Sequence, residues 1–175
     1  MWSKHQSLRL LALVLILGST LLNVHCKFGA LCQDVTDGLY AEDGIAAQLE
    51  TIRVETAAII AVAERNGIDA GSLSEAADEL QSVLSQRQFG TGYLFRCYDK
   101  LRVELISAEQ NLLGALSETD LQTVTDCLER IQAAQRLISS SSYNDVVRGF
   151  LARYDRFPTR LLAKLAGVRM PAVFG

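Results

Sequence analysis

Histidine is nearly absent from this chain of 175 residues. It has two, His5 and His25, and the sequence after Cys26 contains none. Serine–histidine and cysteine–histidine catalysis, histidine-ligated metals and the Glu-x-x-His sites of di-iron bundles all require an imidazole. An enzyme would therefore need carboxylates that converge in the core, and the apolar stripes of this sequence carry none. We predict that the chain is not an enzyme and binds no cofactor.

Proline and aromatic residues are also scarce. The chain has two prolines and 7% aromatic residues, while hydrophobic residues make up 49%. Such a chain can bury a core, and its many leucines and alanines favour helices packed on helices over a β-sheet. The length indicates a single domain.

The cysteines lack the spacing of a metal site. Cys26, Cys32, Cys97 and Cys127 form no C-x-x-C pair, which argues against zinc. Cys97 and Cys127 could form a disulfide between two helices of an exported protein, but we favour two buried free thiols. Lipid attachment at Cys26 is disfavoured, because the sequence before it lacks the expected leucine and small residue.

The N-terminus carries an apolar segment. Lys4 and Arg9 precede residues 10–24, and these 15 residues carry no charge. As a helix they would span roughly 22 Å, compared with a hydrocarbon core of roughly 30 Å. A cleaved signal peptide and an uncleaved signal-anchor both fit, but there is no clean cleavage site. We expect residues 1–26 to be a single-pass membrane anchor with the body outside the cytoplasm; secretion after cleavage stays open.

Apolar residues recur at heptad spacing after a linker over residues 27–42. Steps of four and three residues mark one face of each of four helices, as in coiled coils. Turn signals at Asn66-Gly67 and residues 90–92, and cap signals at Ser72 and Ser117, separate the helices. We predict an all-α fold over residues 43–175: an antiparallel four-helix bundle of long helices with a short C-terminal helix. The stripe positions are Ile45, Leu49, Ile52, Thr56, Ile59 and Ala63; Leu73, Ala77, Leu80 and Leu84; Leu94, Tyr98, Leu101, Leu105, Ala108, Leu112 and Ala115; and Leu121, Val124, Leu128, Ile131 and Ile138.

The apolar phase shifts after Ile138, at four consecutive serines in residues 139–142. We expect the helix to continue through them with local unwinding, so that Val146, Phe150 and Phe157 lie on its apolar face; the alternative is a break at the serines.

A proline marks the end of this helix. Phe157-Pro158 is expected to form a bend and an anchor, because a residue before proline avoids the helical region. A short helix over residues 159–166 should follow and end at Gly167.

The C-terminal pattern resembles a known signature. Tyr143-Asn144 is followed by the aromatic Phe150, then by Phe157-Pro158, and finally by Gly167. In order and spacing, this pattern is similar to the end of LemA family proteins, in which a long helix turns into a short C-terminal one. The resemblance implies a bacterial membrane protein with a short N-terminal membrane segment, a bundle of long antiparallel helices and a poorly defined molecular activity. Leu151 and Arg160 stand where the family has asparagine, so the chain would be a divergent member. The matching residues are Tyr143, Asn144, Val147, Phe150, Phe157, Pro158, Ala163, Gly167 and Phe174, and we expect structural roles for them.

Positive charge is concentrated at the C-terminus. Residues 143–175 carry 6 basic and 2 acidic side chains, whereas residues 28–142 carry 8 and 18. Arg153, Arg156, Arg160 and Lys164 follow helical spacing and could form one ridge. We favour a ridge that clasps the bundle's own acidic surface; the alternative is contact with anionic lipid or an acidic partner. Nucleic acid is excluded as a partner, because the body after Cys26 has a net charge of −5.

Together these features predict a membrane-tethered helical bundle with a scaffolding role toward unidentified protein partners. The alternative is an exported bundle that binds lipid surfaces through its basic C-terminal segment. Regular heptads also leave self-association of the helices open.

Overall fold

The computed structural model of the chain describes residues 4–86, 90–112 and 114–174. Within them all regular structure is helical, which confirms the all-α prediction. A π-helical turn, Val24–Phe28, joins the first two helices, and a short 3₁₀ turn, Gly38–Tyr40, follows the second. The helices are α1 (Lys4–Asn23), α2 (Gly29–Asp37), α3 (Ile45–Arg65), α4 (Gly71–Gln86), α5 (Thr91–Leu112), α6 (Glu118–Ser139), α7 (Ser142–Tyr154) and α8 (Thr159–Leu165).

The apolar N-terminal segment forms an exposed helix. It belongs to a helical run, Leu8–Tyr40, of 33 residues that is long and apolar enough to cross a membrane, and none of its apolar window is buried against the rest of the protein. The coarse prediction of an N-terminal apolar helix is therefore confirmed.

The segment predicted as a linker is mostly helical. Phe28 and Cys32 on this segment are buried in a small apolar cluster, Leu39 is buried in the main core, and Val35 is partly buried against both. These four residues follow steps of four, three and four, so the segment has the helical period that we expected only from Ile45 onward. Burial against other elements stabilises α2 although this helix is short, begins at Gly29 and is followed by Gly38.

The predicted stripes account for most of the core. All six stripe positions of α3 are buried, including Thr56, whose hydroxyl donates to the Ile52 carbonyl oxygen at 2.7 Å. The later stripes are less regular: Leu84, Ala108, Leu121 and Leu128 are half-buried and Ala115 is exposed.

Ion pairs link the long helices. Arg65 at the end of α3 pairs with Asp120 at the start of α6. Further along the same two helices, Glu55 pairs with Arg130 at 2.8 Å, so α3 and α6 run antiparallel. Helix α3 also packs against α4, and α4 packs against α5.

Two glycines end helices as predicted. Gly67 and Gly167 have φ values of 68° and 70°, which favour glycine. In each case the next amide closes the helix end: Ile68 N donates to the Ala63 oxygen and Val168 N to the Ala163 oxygen, both at 2.9 Å.

Of the two predicted helix-capping serines, one caps a helix and the other does not. Ser117 caps α6 by accepting from Asp120 N at 3.3 Å, as expected. The prediction of a cap at Ser72 is wrong: α4 begins at Gly71, whose amide donates to Asp69 Oδ1 at 2.9 Å.

The prediction of a continuous helix through the four serines is wrong. Helix α6 ends at Ser139 and α7 begins at Ser142. The Ser140 hydroxyl donates back to the Arg136 carbonyl oxygen at 2.9 Å, and Ser141 Oγ accepts from Tyr143 N at 3.3 Å. These serine side chains thus compete with the helical backbone and start a new helix.

The break changes which residues of α7 face inward. Tyr143, Val147 and Phe150 are buried, whereas Val146 is exposed and Phe157 is 85% exposed. The prediction that Val146 and Phe157 lie on the apolar face is therefore wrong, and Phe157 does not anchor the bend in the core.

We expect Leu101→Ala to destabilise the protein by about 2–5 kcal/mol, because Leu101 is 0% exposed and its removal leaves a cavity. The control is Leu137→Ala, the same chemical change at a side chain that is 55% exposed, which should alter stability by less than about 0.5 kcal/mol. Denaturant unfolding of the full chain in detergent, followed by circular dichroism, measures both. Equal effects would contradict the described core.

Candidate functional site

Asn144 connects three parts of the chain. Its side chain is fully buried at the start of α7. The Nδ2 group donates to the Ile138 carbonyl oxygen at 2.8 Å, and Oδ1 accepts from Phe174 N at 2.8 Å. One amide side chain therefore holds the end of α6, the start of α7 and the C-terminal tail together.

The C-terminal tail is held by two further kinds of contact. Ala172 N donates to Thr91 Oγ1 at 2.8 Å, at the start of α5. Phe174 is completely buried and packs edge-on against Phe95 and Tyr143, with ring centroids 5.5 Å and 6.2 Å apart. The tail thus closes over the core between α5 and α7.

Tyr143 is buried beside the tail and has a perturbed hydroxyl. Burial raises the pKa of its hydroxyl to about 12, and the nearby Thr91 hydroxyl opposes this rise. Among the residues that the structure describes, none forms a hydrogen bond of ordinary geometry with this hydroxyl. A phenol with so high a pKa stays protonated at neutral pH and is poorly suited to general base catalysis.

A second apolar cluster joins the N-terminal helix to the C-terminal helices. Phe28 packs against Phe150 and Tyr154, with ring centroids 5.6 Å and 5.2 Å apart, and Ala163 is buried in the same cluster. His25 Nδ1 donates to the Ala166 carbonyl oxygen at 2.8 Å. The turn that follows the apolar helix α1 is thereby fixed to the end of α8.

An open groove of about 1160 Å³ lies beside this junction, between α2, the start of α5 and the residues after α8. Gln33, Thr36, Asp37 and Tyr40 contribute polar groups to its lining. The Asp37 carboxylate already accepts from Gln33 Nε2 at 2.9 Å. Among the described residues no group of three His, Cys, Asp or Glu side chains could hold a metal ion.

The basic ridge faces outward. Arg153, Arg156, Arg160 and Lys164 are all exposed. Arg160 Nε lies 3.2 Å from Asp155 Oδ1, within the same segment. In the part of the chain that the structure describes, no ion pair joins the ridge to α3, α4, α5 or α6. The structure thus differs from the predicted electrostatic clasp, since Asn144 and Phe174 hold this region instead.

Two buried cysteines belong to matching polar clusters that the sequence analysis missed. Cys97 Sγ lies 3.6 Å from Glu79 Oε1, and Lys100 Nζ lies 2.9 Å from the other oxygen of that carboxylate. Cys127 Sγ accepts from Arg130 at 3.4 Å, and Arg130 pairs with Glu55. In both clusters a basic residue, Lys100 or Arg130, lies three positions after the cysteine, and this spacing is visible in the sequence.

The buried thiols are not suited to nucleophilic catalysis. Burial, reinforced by the neighbouring glutamate, raises the pKa of the Cys97 and Cys127 thiols. All four cysteines are free. A protonated, buried thiol is a poor nucleophile, so the clusters serve to join helices.

Comparison of the chain with family models, curated proteins and solved structures found no match. The resemblance to the LemA family therefore stays a prediction, and function rests on the geometry.

We expect Asn144→Ala to destabilise the fold by about 1–3 kcal/mol, because it leaves the Ile138 oxygen and Phe174 amide buried without partners. Amide hydrogen exchange should also accelerate in the tail, at Ala172–Phe174 first. Asn111→Ala, at an exposed asparagine, is the control and should change neither measurement. A protected tail in Asn144→Ala would refute the proposed link.

Glu79 makes stability depend on pH. Hydrogen bonds from Lys100 and then Tyr93 lower the pKa of its carboxyl from the ordinary value of 4.5. Because the folded pKa is depressed, this stabilisation is present above about pH 4.5 and is lost as pH falls through the folded value. Glu79→Gln should therefore remove part of the acid-dependent loss of stability, roughly 0–1 kcal/mol for this half-exposed pair.

Thermal unfolding across the acidic range measures this effect. Glu129→Gln, at an exposed carboxylate, is the matched control and should retain the pH dependence. The assignment fails if the two variants have the same profile.

Proposed function

We propose that this chain is a membrane-tethered helical scaffold without enzymatic activity, which presents its helices to protein partners. The observation that carries the proposal is the exposed apolar helix α1, which continues without a break into the packed body.

Helix α1 supports a membrane tether because water is an unfavourable environment for it. Leu15, Ile16 and Leu22 are each more than half exposed, and their neighbours along the helix are similarly apolar. A contiguous apolar surface of this kind indicates contact with lipid or protein. A bilayer would satisfy all sides of the helix at once, with Arg9 and Lys27 at its two ends.

The junction after α1 supports an anchor that is retained. His25 and Phe28 both contact the C-terminal helices, through the Ala166 oxygen and the Phe150 ring. Cleavage near residue 26 would separate His25 from the body and remove the contact. If the anchor is retained, these contacts hold the body at a fixed orientation to the membrane rather than on a flexible linker.

The scaffolding role rests on the long helices. As part of the proposal, α3, α4, α5 and α6 form one antiparallel four-helix bundle, with the α3–α6 ion pairs as support. Exposed Val103 and Ile106 lie three residues apart on α5 and provide an apolar contact surface.

The engaged carboxylates and protonated thiols favour a structural role over catalysis. The LemA-like C-terminal pattern is compatible with a role of this kind in a bacterial membrane, and self-association would use the same surfaces.

A single experiment on the C-terminally tagged full chain tests tether and partner together. We expect full-length mass in an alkali-resistant membrane pellet, and external protease should cut the body. Leu15→Arg should impair insertion, because a charge at mid-span costs about 2.5–3.5 kcal/mol, whereas Leu137→Arg on the exposed body surface should not. A photoreactive residue at Val103 should then give discrete adducts in intact membranes.

The outcomes separate the alternatives. A mass shortened by the N-terminal segment in a soluble exported fraction would support the secreted bundle instead. An adduct of twice the chain mass would identify a second copy as the partner. An integral chain without any adduct from position 103 would contradict the scaffolding role.

A further inference from the structure

We propose that the segment from Phe157 to the end of α8 docks on the headgroup layer of an anionic bilayer. The docking surface, here called the lipid patch, consists of Phe157, Arg160, Leu161, Lys164 and Leu165. The inference rests on the proposed membrane tether and assigns a second contact of the protein with the same membrane.

The position of α8 follows from one contact. Residues 10–24 are the uncharged apolar span, and His25 comes directly after it. Because His25 donates to the Ala166 oxygen at 2.8 Å, the end of α8 lies where the apolar span ends. When α1 crosses a bilayer, that level is the boundary between hydrocarbon and headgroups.

The shortness of the span draws the body closer to the lipid. An apolar helix of roughly 22 Å is shorter than a hydrocarbon core of roughly 30 Å. Such mismatch is relieved by local thinning of the bilayer or by residues flanking the span entering the interface. The flanking turn Val24–Phe28 contacts α8, so α8 is brought into the headgroup region with it.

The exposed face of α8 has the composition of an interfacial helix. Ala163 is buried toward the body, while Leu161 and Leu165 are 49% and 64% exposed. These leucines lie four residues apart and form one stripe. Arg160 and Lys164 form a second stripe beside it, one residue earlier. Apolar side chains flanked by basic ones are the arrangement that lies in a membrane interface.

Two further observations point to lipid. Phe157, directly before the proline, is 85% exposed, and no described contact covers its ring. Within the described residues, Lys164, Arg153 and Arg156 form no ion pair, so their charge is available to an external anion. Negative lipid headgroups attract such juxtamembrane basic groups within a Debye length of the surface.

The test places a fluorescent probe in the patch of the full chain. Trp2, the one tryptophan, is replaced by Phe, and Leu165→Trp supplies the probe. The protein is reconstituted in bilayer discs of phosphatidylcholine with phosphatidylglycerol, whose acyl chains carry bromine as a quencher. We expect a blue-shifted emission and at least about twofold quenching. Val103→Trp, at an exposed position on α5, is the matched control and should be quenched far less.

Charge variants test the electrostatic part. Arg160→Glu together with Lys164→Glu should reduce quenching at position 165 toward that of the control, and so should high salt or discs without phosphatidylglycerol. Arg102→Glu together with Arg136→Glu changes net charge equally outside the patch and should leave quenching unchanged. Circular dichroism of each variant verifies that the helices remain folded.

The inference is overturned if position 165 is as weakly quenched as position 103 in a chain that resists alkaline extraction. The inference is also overturned if quenching at position 165 stays the same without phosphatidylglycerol and in both charge variants. A third contrary result is that a soluble acidic protein, but not lipid, shields the tryptophan at position 165. Loss of the chain from the bilayer on alkaline extraction would instead refute the tether. The two proposals therefore fail in distinguishable ways.

Discussion

The C-terminal half of this protein depends on the two hydrogen bonds of Asn144. A backbone oxygen at the end of α6 and a backbone amide at the tail both lose water when the core closes. An amide side chain satisfies a donor and an acceptor at once, which no apolar residue of similar size could do. The direction of α7 and the closure of the tail follow from this one buried group. Phe174 then fills the space between α5 and α7.

The orientation of α7 in turn creates the junction with the N-terminal helix. Ser141 caps the start of α7 and Asn144 ties this start to the end of α6. With α7 held in this direction, Phe150 and Tyr154 meet Phe28 across the fold. The packed rings hold the turn after α1, and His25 ties the same turn to α8. The turn from which α1 leaves the body is thereby part of the packed structure, although α1 itself is exposed.

Sequence periodicity predicts the features that depend on neighbouring residues of one helix, such as which of its side chains are buried. The α3 stripe was correct at every position, since six heptad positions over 21 residues leave little ambiguity. In α2 the same period extends over fewer turns and is flanked by glycines, so the sequence pattern alone does not distinguish this helix from a linker. The serine break depended on hydroxyl–backbone bonds that compete closely with the helix. Contacts such as His25 with Ala166, 141 residues apart, leave no local pattern at all. The signature at residues 143–174 includes Asn144, but the two partners of that side chain, Ile138 and Phe174, are not evident from the pattern.

The difference between buried and exposed polar contacts explains why the predicted electrostatic clasp is absent. An exposed ion pair contributes roughly 0–1 kcal/mol, whereas leaving a buried amide or carbonyl unsatisfied costs about 1–3 kcal/mol. The buried bonds of Asn144 are therefore sufficient to position the tail, and the basic ridge is not needed for this purpose. Arg153, Arg156 and Lys164 are exposed and form no ion pair among the described residues, so they lie hydrated at the surface. Beside an apolar helix that ends at His25, such cations meet the one large anionic surface that a membrane tether would bring within reach.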